Sequence, residues 1–429
     1  MGGYEQNQVR RRRVFYIPGY DPIHPRRYRE LYRKEGAAQA GISGYDLTLT
    51  PRKSQENFGW NVVGDMDGAT VTTEVEVLVW SDIVKNSMRH GIARTYLAML
   101  QTAVTYIGTG AMWRLTKLRS GPVIAALYPV VMLLCQAVLA LIATIVAYRV
   151  GNWAINAAIL AGGGDLGGVA RFVGPLVAGL LGLGVGWAIL DRFRRWDSKL
   201  FVYYLMHDYS YSARTKGANT PEMEARIAAF TDAVAAACQE DVDEILVIGH
   251  SSGAHLAVSV MSDLIRSGRA VDGAGRAPGQ GPALGLLTLG QVMPMVTFLP
   301  DAWRLRNDLA FLSQSDAVFW ADVTAPGDGC AFALCDPVAV SGVAGPDQKA
   351  PLVFSAAFKK SLTAARLKEL RWRFFRLHFQ YLCAFDAPRD YDYFRITAGP
   401  LTLRQRYQTR VSSKSRVATP VNTFTSTAP

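Results

Sequence analysis

EILVIGHSSGAHLAVSVMSDLIRSG, residues 244–268, is the stretch on which the reading of this chain turns. Its first six residues form a short apolar run of the kind that makes a buried strand. Residues 254–268 read as a helix. Between them stand Gly249, His250, Ser251, Ser252 and Gly253, a G-x-S-x-G pattern at a strand-to-helix junction. A turn this sharp holds its central residue in a strained backbone conformation. Only small residues two positions away on either side let it close with the Ser251 hydroxyl exposed.

The flanking sequence repeats the alternation. A helix is predicted over 220–239, and LGLLTLG (284–290) and AVFWADVTA (317–325) read as further strands. Toward the N-terminus, VFYIPGY (14–20) is an apolar strand ending in a Pro-Gly turn, followed by an amphipathic helix that puts Tyr28, Leu31 and Tyr32 on one face. YDLTLT (45–50), GWNVVGD and ATVTTEVEVLVW then give strand pieces, the last two joined by a DMDG turn. Residues 82–113 are predicted to be helical. Strands alternating with helices imply an α/β fold with a mainly parallel sheet covered on both faces.

Two apolar stretches interrupt this pattern. Residues 121–148 contain no formal charge, and 28 residues in a helix exceed the roughly 30 Å of bilayer hydrocarbon. Residues 172–190 are just long enough to cross as well. Within them Gly182 and Gly186 have the GxxxG spacing that admits a close helix neighbour, either the first span or a second subunit, so a homo-oligomer through this face is an open expectation. Arg114, Lys117 and Arg119 precede the first stretch, and Arg192, Arg194, Arg195 and Lys199 follow the second. By the positive-inside rule both ends lie in the cytoplasm, with 149–171 as the external loop. The expected product is an integral membrane protein whose globular part faces the cytoplasm.

Composition removes other classes. The chain carries 46 Lys and Arg against 35 Asp and Glu, a net +11, but no zinc-finger, helix-turn-helix or RNP pattern accompanies the charge, so nucleic acid is not an expected partner. Five cysteines, an odd number in a long chain, do not make a disulfide framework. Neither a metal nor a cofactor is expected.

With its elbow-like junction, the chain resembles the α/β-hydrolase superfamily, in particular its lipase and esterase-like members. The resemblance covers about 14–50 and 200–385 and rests mainly on the one motif. It implies a nucleophile, acid and histidine in that chain order, with an oxyanion hole from the residue after the nucleophile and from a loop after an early strand. Carried over, Ser251 is the nucleophile, Gly249 and Gly253 shape the elbow, and Ser252 gives one oxyanion amide. Tyr20 gives the other, although Pro18-Gly19 stands where the family usually has His-Gly. Of the six histidines only His255 and His378 follow Ser251, and His255 lies on the elbow helix, so His378 is the candidate base. Asp328, in a Pro-Gly turn just past AVFWADVTA, is the candidate acid, with Asp322 and Asp336 read as structural.

The domain reading is a basic N-terminal segment (1–13), a first α/β part with a membrane-approaching helix (14–113), a transmembrane hairpin (114–199), a second α/β part (200–409) and a disordered tail (410–429). The expected activity is hydrolysis of carboxylic esters, with lipid or acyl-ester substrates taken from the membrane. Met293, Met295, Phe298 and Leu299 are candidates for an apolar pocket or for plain core. An acyltransferase or thioesterase on the same triad, and a non-catalytic membrane scaffold, are the alternatives.

Overall fold

A computed structural model describes residues 8–52, 58–88, 91–161, 167–270 and 281–429, with the backbone alone at 167–171. Eight strands are described: β1 (Arg11–Ile17), β2 (Asp46–Pro51), β3 (Gly59–Met66), β4 (Ala69–Val77), β5 (Glu244–His250), β6 (Ala283–Leu289), β7 (Val318–Thr324) and β8 (Leu352–Ser355). They form one sheet in the order β2-β3-β4-β1-β5-β6-β7-β8. From β4 to β8 every neighbouring pair is parallel, while β2–β3 and β3–β4 are antiparallel. The α/β reading with a mainly parallel sheet holds. β5 lies inside the sheet and all seven of its residues are buried, which is what its unbroken apolar run requires.

The helices up to the elbow are α1 (Arg26–Ser43), α2 (Ser81–Met88), α3 (Ile92–Gly108), α4 (Ala111–Leu118), α5 (Ser120–Ala161), α6 (Gly167–Arg195), α7 (Asp197–Leu200), α8 (Val202–Arg214), α9 (Pro221–Ala237) and α10 (Gly253–Arg266). By contacts the chain divides into two units, one made of Met1–Asn86, Val104–Val123 and Ser212–Pro429, the other of Ser87–Ala103 and Ile124–Tyr211.

The first unit holds the sheet, and three expectations change there. The basic run Arg10–Arg13 is not a separate segment, because β1 begins at Arg11. Arg12 is fully buried; its Nε donates to Glu244 at 2.5 Å and its Nη atoms to the carbonyls of Gly399 and Leu401. Arg13 pairs with Glu74, Glu76 and Glu240. Charge in β1 therefore meets carboxylates of neighbouring strands and loops. Residues 1–7 lie outside the described part.

Residues 410–429 are not a loose tail. Ser413 N donates to Val353 O, Val417 exchanges backbone hydrogen bonds with Leu334 and Asp336, and the Asn422 side chain, itself buried, donates to Thr297 O. The segment has little to bury, but its backbone is held. Met293, Phe298 and Leu299 are fully buried and Met295 nearly so, which makes them core rather than pocket lining.

In the second unit, α5 runs 42 residues, about 63 Å at 1.5 Å per residue, and continues through most of the expected external loop. The junction at 162–166 lies outside the described residues. Both α5 and α6 are long and apolar enough to cross a membrane, and only 17% and 22% of their most apolar windows are buried. A helix of a soluble core would be mostly buried. The GxxxG face is used inside the chain: a Cβ on Gly182 would stand 2.7 Å from Thr144 O, and one on Gly186 would run into the Thr144 hydroxyl.

Candidate active site

The elbow has the backbone that its sequence demands. Ser251, directly after β5, has φ +56°, in the left-handed region that an L-residue other than glycine rarely enters. Its amide donates to Leu289 O at 2.9 Å, tying the turn to the end of β6. The small neighbours are required by space. A Cβ at Gly249 would lie 2.6 Å from Ala254 Cα and from Gly253 O, and one at Gly253 would strike the carbonyls of Ile17 and Pro18. Gly19 lies on the serine itself, where an added Cβ would be 2.9 Å from Ser251 Cβ and 3.4 Å from Oγ. The turn after β1 thus packs directly on the elbow. Ser251 is half-buried, and Ser252 precedes α10 as its N-cap, where backbone amides have no partner within the helix. Tyr20 is buried with its ring edge-on to Trp80, whose Nε1 donates to Pro18 O at 2.8 Å.

His378 ends the short helix Phe374–His378, downstream of β8, and Asp328 follows β7. The two meet as expected, with His378 Nδ1 2.7 Å from Asp328 Oδ2 and both side chains buried. Tyr381 OH donates to the same oxygen at 3.0 Å, and Cys330 N donates to Oδ1 at 2.9 Å. Burial pushes the Asp328 carboxyl up, but His378 and these hydrogen bonds outweigh it and hold the group below the usual carboxylate range. An ionised Asp328 accepts from Nδ1, so Nε2 is the ring nitrogen left for other partners. That Nε2 is buried and has no hydrogen-bond partner, so it is not bonded to Ser251 Oγ.

The imidazole is held from its other side by His250, the residue before the serine. The two rings stand 4.8 Å apart, and His250 Nε2 donates to His378 O at 3.0 Å. Burial, reinforced by His378, pushes His250 down to about 3, so it stays a neutral donor. Gly290, with φ +54°, backs the site: a Cβ there would be 3.0 Å from His378 Cε1 and 2.7 Å from Tyr381 Cε2.

The discarded candidates have other work. His255 lies within α10, and burial pushes it down to about 4. Asp322, inside β7, accepts from Thr288 Oγ1 at 2.6 Å, and burial pushes it up to about 8. Asp336 caps the helix Pro337–Val340 through the amides of Val338 and Ala339. Asp328, Cys330 and His378 do bring three potential metal ligands within 4.8 Å of one another. The Nδ1–Oδ2 hydrogen bond takes up one of these atoms on His378 and one on Asp328.

Compared with models of protein families, with curated proteins and with solved structures, the chain matches none. The site therefore stands on its own geometry. Tyr381, His250 and Gly290 are the members that sequence reasoning missed. Tyr381 sits three residues past His378, a spacing that gives no signal until the acid turn is folded against it.

Proposed function

We propose that the chain is a membrane-anchored serine hydrolase of α/β-hydrolase type that cleaves carboxylic esters of lipids or other acyl compounds. The observation that carries this reading is the serine in a left-handed turn at the end of β5, on the same sheet edge as a buried, hydrogen-bonded aspartate–histidine pair. Nucleophile after β5, acid after β7 and histidine after β8 is also the chain order of the resembled superfamily.

In the reaction, His378 Nε2 takes the Ser251 proton as Oγ attacks the acyl carbon. The oxyanion is met by the Ser252 amide and by the Tyr20 amide in the turn packed on the serine. Collapse expels the alcohol, which leaves with the proton from His378. Water, deprotonated by the same nitrogen, then releases the acid and restores the serine. Asp328 keeps the proton on Nδ1 throughout.

Lipid substrates are favoured by how the apolar helices enter. They are inserted between β4 and β5, and the parallel strands all end on the edge that carries Ser251. The first turn of α5 begins against the acid turn, where a Cβ on Gly121 would lie 3.2 Å from Gly329 O. The basic residues before α5 and after α6 orient the catalytic part to the cytoplasm.

A fluorophosphonate probe tests the nucleophile. Labelling of the wild type that disappears in Ser251→Ala is the expected result. A folded protein that resists the probe would remove the hydrolase reading and leave the scaffold. A panel of lipid and short soluble esters, given to the reconstituted enzyme, then tests the substrate class; activity on the soluble esters alone would reject the lipid preference.

A further inference from the structure

Segment 359–376, KKSLTAARLKELRWRFFR, has no part in the chemistry above, yet it ends two residues before His378. It contains seven basic residues and one acid, Glu369, and so carries +6 of the chain's net +11. Lys359, Lys360, Lys368, Arg371, Arg373 and Arg376 are all exposed. Among them Trp372 and Phe374 are 74% and 53% exposed, although Phe358, Leu370 and Leu377 fix the same stretch in the core. The Arg371 guanidinium lies over the Trp372 ring at 5.1 Å, and the Trp372 and Phe374 rings meet edge-on. Two large aromatic side chains thus face outward in a field of positive charge.

Their position narrows the partner. The Phe374 ring lies against Gly329 in the acid turn, and Gly329 is the residue on which the first turn of α5 rests. The exposed aromatics therefore stand where the chain enters its first apolar helix. Tryptophan favours the headgroup level of a bilayer, and Lys and Arg are drawn to an anionic leaflet. The cytoplasmic leaflet is the anionic one.

We propose that 359–376 is an interfacial patch that seats the mouth of the site on the anionic lipid surface of the cytoplasmic leaflet. Lys and Arg bind headgroups while Trp372 and Phe374 enter between them. The proposal rests on the reading of α5 and α6 as membrane spans and of their orientation, but not on hydrolysis.

The test uses the full chain reconstituted in vesicles of phosphatidylcholine alone or mixed with phosphatidylserine, each with a brominated phosphatidylcholine as quencher. The signal is the Trp372 component, taken as the difference between wild type and Trp372→Phe. Quenching of that component in the mixed vesicles is expected, with its loss in phosphatidylcholine alone, in high salt, and in a Lys359→Glu/Lys360→Glu/Lys368→Glu variant of unchanged circular dichroism. A Trp372 component that is unquenched in the mixed vesicles overturns the proposal. So does quenching indifferent to lipid charge and salt. Ser251→Ala is expected to quench like wild type, so a failed hydrolase reading and a failed patch give different results.

Discussion

Ser251 is made a candidate nucleophile by what its neighbours lack. Gly19, Gly249 and Gly253 each leave room that a single methyl group would fill, and Gly290 does the same for the imidazole. Gly290→Ala is therefore expected to lower ester turnover by about 10²-fold, the scale of an ångström-size misplacement of a catalytic group. Gly268→Ala is the control. It has the same sign of φ, +70°, but a Cβ there meets nothing within 4 Å, so it should carry the backbone strain without loss of turnover. Equal loss in both variants would show that strain rather than His378 placement is being read. The left-handed turn at Ser251 and the pairing of Asp328 with His378 were legible in sequence because chain order and local turn chemistry restrict them tightly. His250 and Tyr381 were not, since their roles consist of bonds to residues 50 or more positions away.

At the scale of elements, charge patterning misled where hydrophobic patterning did not. β5, β6 and β7 were visible as apolar runs, and the β3–β4 hairpin as alternation around a turn. Arg10–Arg13 read as part of a basic N-terminal segment apart from the sheet because the carboxylates that neutralise Arg12 and Arg13 lie on other strands and loops far along the chain. The pair Arg12–Glu244 is almost wholly buried, and each partner also bonds to backbone, Glu244 accepting from Leu403 N. Arg12→Met would strand a buried carboxylate, at a cost of about 3–5 kcal/mol. Arg12→Met/Glu244→Leu should recover most of that stability. Denaturant titration of the detergent-solubilised protein measures both; a double variant no better than the single would mean that the pair's hydrogen bonds to 399–403, not its charges, hold this end of the sheet. The two helices long and apolar enough to cross a membrane were legible too, but not the length of α5, because Arg149 ends the apolar run without ending the helix.

For the molecule as a whole, the C-terminal residues were misjudged by composition. Ser, Thr and Pro gave 410–429 little to bury, whereas its hold is through backbone hydrogen bonds and the Arg306 guanidinium, whose Nε donates to Ser426 O at 2.7 Å. Truncation after residue 409 removes the partners of Val353, Leu334 and Asp336. At about 1 kcal/mol for each hydrogen bond, it should destabilise the protein by about 3 kcal/mol and slow fluorophosphonate labelling, because 334–336 follows the acid turn. An unchanged melting temperature would mean that the segment only rests on the surface.

The place of β1 between β4 and β5 also fixes an order of manufacture. Arg12 and Glu244 are 232 positions apart, and both apolar helices lie between them in the chain. As the polypeptide is synthesised, β1 waits with one edge open until the two hydrophobic helices have left the ribosome, and such an unpaired edge is prone to aggregate. Both apolar helices are thus made before the sheet can close. Until β5 emerges, the turn after β1 has no serine to pack against, so the elbow is among the last parts of the sheet to form.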